Sequence, residues 1–137
     1  MIVVDSSIAL QWVLPEEDAS YAEELLGNPD LIAPDILLME AANVLAKKVR
    51  AGNSTMDGAL VGLRLIRDTV SRLVSSADLA AESLRLSVAL AHPAYDCCFL
   101  ACAVNANAVL ATRDQPFIDR LRASGYGDRL HSWRGMQ

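Results

Sequence analysis

"MIVVDSSIALQWVL", residues 1–14, sets a short β-branched run against an acid and then against a helical pattern. Ile2, Val3 and Val4 suit a buried strand, and Asp5 ends it. From Ser6 the chain reads as the first turns of a helix, which Pro15 stops.

The same alternation continues outward. "SYAEELLG" places Glu23 three residues after Ser20, a capping-box spacing, with Gly27 as a helix stop. "DLIAP" reads as a second strand. From Asp35 as N-cap, "ILLMEAANVLAKKVRAG" spaces Leu37, Leu38, Ala41, Ala42, Leu45 and Val49 as one helical face. Ser54 and Asp57 mark another helix start, with Leu60, Leu63, Leu65 and Ile66 as its stripe, and "TVSRLV" follows as a third strand. "ADLAAESLRLSVALA" is helical until His92 and Pro93 break it, because the residue before proline disfavours α geometry. A new helix begins in "AYDCCFLACAV". "NAVLAT" reads as a fourth strand, "QPFIDRLRASG" as a helix with Pro116 in its first turn, and "RLHSW" as a weak fifth strand.

Short strands alternating with helices predict an α/β fold: one domain over residues 1–137, with a mainly parallel sheet of about five strands covered by helices on both faces. The 137 residues, 53% of them hydrophobic, are enough for one core. No apolar run reaches the roughly 18 to 20 residues that span a bilayer, and Asp5 interrupts the N-terminus before a signal-peptide region can form. The expectation is a cytoplasmic protein without a membrane partner.

Charge and cysteine content narrow the function. A net charge of −5 argues against a broad basic surface for nucleic acid, but not against a nucleic-acid enzyme whose acids gather in a metal site. Cys97, Cys98 and Cys102 are odd in number and lie in one helix, which suits reduced, buried thiols; no CxxC or HxxxH spacing supports zinc.

Asp5 ends the first strand and Asp114 lies just beyond the fourth, so both fall at the sheet edge where ligands of such folds bind. Glu40 interrupts the apolar run of one helix, and Asp96 heads another. Each has a bland account alone: helix cap, turn residue or member of a solvated stripe. Together, four carboxylates on one cleft repel each other unless protons or cations neutralise them. Mg²⁺ or Mn²⁺ is the economical solution, since such ions take oxygen ligands and activate water at a phosphodiester. No phosphate-binding glycine loop, GxSxG elbow or HExxH helix is present, and Ser7 stands where a two-aspartate phosphohydrolase would place its second acid.

Four segments, "IVVDSSIALQWVLPEE", "IAPDILLMEAANVLAKKV", "HPAYDCCFLACAV" and "AVLATRDQPF", resemble in order and spacing the PIN-domain family, particularly the VapC toxins of toxin–antitoxin pairs. The resemblance implies a compact three-layer α/β/α fold and a metal-dependent endoribonuclease that hydrolyses RNA, with Mg²⁺ or alternatively Mn²⁺ as cofactor. It also implies restraint by a VapB-type antitoxin and a homodimeric state. The family's metal-binding and catalytic acids fall on Asp5, Glu40, Asp96 and Asp114, and its hydroxyl positions on Ser7 and Thr112. Asn43, three residues after Glu40, and Arg113, beside Asp114, are candidates for positioning or substrate contact. Lys47, Lys48 and Arg50, with Arg64 and Arg67 on the next helix, are basic groups able to orient a phosphate backbone. Trp12, Leu14 and the helix containing Leu60 are candidates for an antitoxin groove, with core packing as the competing account. Gln115, Pro116 and Phe117 stand where many members carry a further acid, which leaves open a second metal ion. A catalytically silent PIN-like module that binds RNA or protein is the alternative reading.

Overall fold

The computed structural model describes residues 1–15 and 18–133. Glu16 and Glu17, the end of the first quoted family segment, and residues 134–137 lie outside the described residues.

Four parallel strands, β1 (Ile2–Val4), β2 (Leu31–Pro34), β3 (Arg72–Val74) and β4 (Val109–Ala111), form one sheet in the order β3-β2-β1-β4. β1 and β2 are buried along their whole length, which explains why they read as unbroken apolar runs rather than alternating ones. The helices flanking the sheet are α1 (Ser6–Ala9), α2 (Ser20–Leu25), α3 (Ile36–Arg50), α4 (Met56–Thr69), α5 (Ser76–Leu90), α6 (Ala94–Asn105) and α7 (Gln115–Ala123). No single helix among the described residues is long and apolar enough to cross a membrane.

α6 is the central helix. Residues Cys97 to Ala103 are all buried, so its apolar character runs around the whole circumference, and it packs on β1, β2 and β4. Its two ends reach solvent, at Val104 and Asn105 in the last turn and in the first turn, which carries Asp96.

β1 has β2 on one side and β4, the last strand, on the other. The strand order therefore reverses at the β1/β4 boundary, where sheets of this kind have their ligand-binding crevice beyond the carboxyl ends of the strands. Asp5 and the turn from Thr112 to Asp114 lie at that crevice.

Three local expectations need correction. The fifth strand in "RLHSW" reduces to one bridge between Leu110 and Leu130. His131 and Trp133 instead stack on buried Tyr21, with ring centroids 5.6 and 5.3 Å away, and the Tyr21 hydroxyl pairs with His131 Nδ1 at 2.8 Å. Aromatic stacking, not a ladder, fixes that segment. Asp35 makes no side-chain cap on α3; its Oδ1 accepts from the Ser76 N–H at 3.1 Å and so serves α5. Ser20 is already helical, and Ala19 is the N-cap of α2.

Candidate active site

Asp5 leaves β1 in extended conformation and caps α1. Its Oδ1 accepts from Ser7 Oγ at 2.6 Å and from the Ile8 N–H at 3.2 Å. Its own N–H donates to Ala111 O at 3.3 Å, tying it to β4. Across that seam, Ser7 Oγ accepts from the Arg113 N–H at 2.8 Å and lies 3.4 Å from the hydroxyl of buried Thr112. Thr112 Oγ1 in turn accepts from the Asp114 N–H at 3.1 Å. The two hydroxyl residues thus join the carboxyl ends of β1 and β4 in one network. Asp114 caps α7, its Oδ1 accepting from the Phe117 N–H at 3.2 Å.

The four acids act on one another through their charges, behind a larger effect of burial. Burial lifts the Asp5 carboxyl to about 6 and outweighs the hydrogen bonds from Ser7, Thr112 and Ile8, with the Asp96 charge adding to the rise. Glu40, half-buried on α3, is lifted to about 7 by burial and then by the charges of Asp96 and Asp5, partly offset by the Ser6 hydroxyl. Asp96 is raised by burial, with the Asp114 charge adding to the rise and the His92 hydrogen bond opposing it. Glu40 Oε1 is buried without a hydrogen-bond partner. Acceptors in that state are costly unless a proton or a cation satisfies them.

The remaining candidates divide. Asn43 is exposed one turn beyond Glu40 and does not reach Glu40 Oε1. Arg113 turns to Asp18, with Nη1 3.3 Å from its carbonyl and Nη2 3.8 Å from its Oδ2. That ion pair is solvent-exposed and worth at most about 1 kcal/mol, so the guanidinium is readily exchanged to another anion. Trp12 is committed to the fold, its indole N–H donating to Ala22 O at 2.7 Å. The three cysteines are free and buried, and burial pushes Cys97 up to about 11 and Cys102 up to about 12, so neither is an activated nucleophile. The sequence marks His92 only as part of the helix break before Pro93, yet its Nε2 lies 2.8 Å from Asp96 Oδ2. Its position four residues before Asp96 was the available signal.

The donor set fits a hard divalent cation: every acid is a carboxylate, and one buried oxygen lacks a partner. Among the described residues no three or more Asp, Glu, His or Cys side chains form a group that could hold a metal ion. Mg²⁺ does not require one, since it keeps several waters and uses one or two protein carboxylates directly.

A model of the family described as "PIN domain" matches residues 2–122. The chain belongs to the PIN-domain family. Members of that family are in general metal-dependent nucleases. The crystal structure of PAE2754 from Pyrobaculum aerophilum is similar to this PIN domain, with a TM-score of 0.71 and 23% sequence identity over 87% of this chain and 84% of that one. At that identity the likeness speaks for the fold. A search of curated proteins gave no match. The PIN assignment accounts for the parallel sheet.

Proposed function

We propose that this PIN domain is a Mg²⁺-dependent endoribonuclease toxin of the VapC type, acting in the cytoplasm on RNA phosphodiester bonds. The observation that carries this reading is the electrostatic coupling of Asp5, Glu40, Asp96 and Asp114 at the β1/β4 crevice, with Glu40 Oε1 left unpartnered.

Asp5, Glu40 and Asp96 would hold the ion, directly or through water. When bound, the ion supplies an activated water and offsets charge that develops on the phosphate oxygens. The residues around it do the positioning. Ser7 fixes Asp5 through Oδ1, and Thr112 holds the backbone of Asp114. Asp114, with Oδ1 occupied by the Phe117 N–H, would orient the attacking water through its other oxygen. Glu40, Asn43 and Lys47 follow each other at helical spacing along α3, so a phosphate backbone can run from the acids to Lys47, about 10 Å along the axis. Arg113 is available to a phosphate once it leaves Asp18.

The partner reading rests on exposed apolar surface. α4 leaves Leu60, Val61 and Leu65 exposed, and Asp57 and Arg64 line a shallow groove with Leu60 and Val61. Such a strip suits the apolar face of an antitoxin helix. Leu84 and Val88, one turn apart on α5, offer a separate apolar patch for the second copy of a homodimer.

Incubation of antitoxin-free protein with a mixed transcript pool tests the reading. Cleavage should require Mg²⁺ or Mn²⁺ and vanish with EDTA, with Asp5→Asn and with Asp96→Asn. RNA binding without cleavage under all metal conditions would instead favour a silent binding module. The observation on that side is that, among the described residues, no three or more Asp, Glu, His or Cys side chains form a metal-holding group.

A further inference from the structure

His92 is held from several directions beside the acids. Ala91 ends α5 in the left-handed conformation, φ 50° and ψ 49°, and α6 leaves at 114° to α5. The His92 N–H donates to Ser87 O at 3.2 Å, and its carbonyl accepts from Ser87 Oγ at 2.6 Å and from Cys97 Sγ at 3.8 Å. Its side chain is 12% exposed and lies flat on Phe117, with centroids 4.7 Å apart and planes 15° apart. Nε2 meets Asp96 Oδ2 at 2.8 Å. Phe117 is also the residue whose N–H holds Asp114 Oδ1. One imidazole thus touches the Asp96 carboxylate directly and, through Phe117, the turn that carries Asp114.

An ionised carboxylate only accepts hydrogen bonds, so in the cation-binding state the shared hydrogen belongs to Nε2. That bond occupies one oxygen and fixes the plane of the other. Carboxylate ligands depend on such outer partners for their orientation.

We propose that His92 is a positioning residue, which orients Asp96 through Oδ2 toward the divalent cation and locks α6 to the turn that carries Asp114. The inference rests on the metal-site reading above. The competing account is that His92 merely closes the α5–α6 corner by packing.

Two substitutions separate these accounts because they preserve opposite halves of the contact. His92→Phe keeps a flat ring for Phe117 and removes the hydrogen bond. His92→Gln removes the ring and keeps a side-chain N–H able to reach Asp96. Mn²⁺ affinity of the full chain, followed by electron paramagnetic resonance, is read beside the melting temperature of the metal-free protein.

The expected result is a roughly tenfold or greater rise in the Mn²⁺ dissociation constant for His92→Phe at unchanged melting temperature, with His92→Gln staying within about threefold of wild type. Wild-type affinity in His92→Phe overturns the proposal, as does a larger loss in His92→Gln than in His92→Phe. Equal losses in both, with lowered melting temperatures, also overturn it in favour of packing. A wild-type protein that binds no Mn²⁺ removes the metal-site reading itself, and the inference with it.

Discussion

Ser7 donates a 2.6 Å hydrogen bond to Asp5 Oδ1, shorter than the 3.2 Å bond that the same oxygen accepts from the Ile8 N–H. The same hydroxyl oxygen accepts from the Arg113 N–H beyond β4. Ser7→Ala therefore strips a charge-assisted bond and leaves a backbone donor unpaired. The expected loss is about 1–3 kcal/mol in urea unfolding, with RNA cleavage lowered about tenfold or more as Asp5 loses its orientation. Unchanged stability and cleavage would show that water replaces the hydroxyl without cost.

The corner between α5 and α6 carries backbone strain that can be relieved. Ala91 is exposed and sits at φ 50°, where an L-residue costs about 1–2 kcal/mol. Ala91→Gly removes that cost and gives back part of it, about 0.4–1 kcal/mol, through the freer unfolded chain. The net expectation is a gain of up to about 1 kcal/mol in a thermal or urea melt. A loss would mean that the corner is held in place by the alanine methyl.

These two positions also show what the sequence could and could not reveal. Asp5 was legible as an edge residue because a buried parallel strand must end where its apolar run ends. α3 and α6 were legible because their lengths leave no strand alternative, and the break at His92 and Pro93 followed from proline sterics. The role of Asp35 was not, because the N–H that it satisfies, Ser76, is forty-one residues away and adjacent only after β2 and β3 pair. Ser20 failed for a more local reason: the helix starts there, and its N–H is met by the Asp18 side chain at 3.4 Å. "RLHSW" has strand composition, but stacking on Tyr21 decides its path, and a contact between residues 110 apart leaves no periodic trace. At the site, the four acids and the hydroxyl residues Ser7 and Thr112 could be named as candidates from the sequence; the hydrogen bonds that join Ser7 to Arg113 and His92 to Asp96 needed the fold.

The thiols give a direct test of the core. Cys97, Cys98 and Cys102 are buried, and burial raises all three, to about 11 for Cys97 and about 12 for Cys102. Thiolate is the reactive form, so a disulfide reagent at pH 8 should label none of them in the native protein and all three in urea. Rapid native labelling would mean that α6 opens readily, which its central packing excludes.

The acids themselves make the metal-free protein sensitive to pH. Asp5 rises from 3.8 to about 6 on folding, and Glu40 from 4.5 to about 7. Between those limits the folded state binds more protons than the unfolded chain, so stability falls as pH rises. The contribution is fully present below about pH 4 and lost by about pH 7 to 8, in a window set by these two groups. For Asp5 the change corresponds to at most about 3 kcal/mol. In EDTA, the urea midpoint should therefore decline from pH 5 to pH 8, and Asp5→Asn should flatten the decline because the amide has no charge to bury. Adding Mg²⁺ or Mn²⁺ at pH 8 should restore the midpoint in wild type, since a ligand that binds only the folded state stabilises it by mass action. In Asp5→Asn the restoration should be much smaller. A midpoint that rises steadily with pH in EDTA would contradict the sign of both shifts, and with it the burial of these carboxyls that causes them.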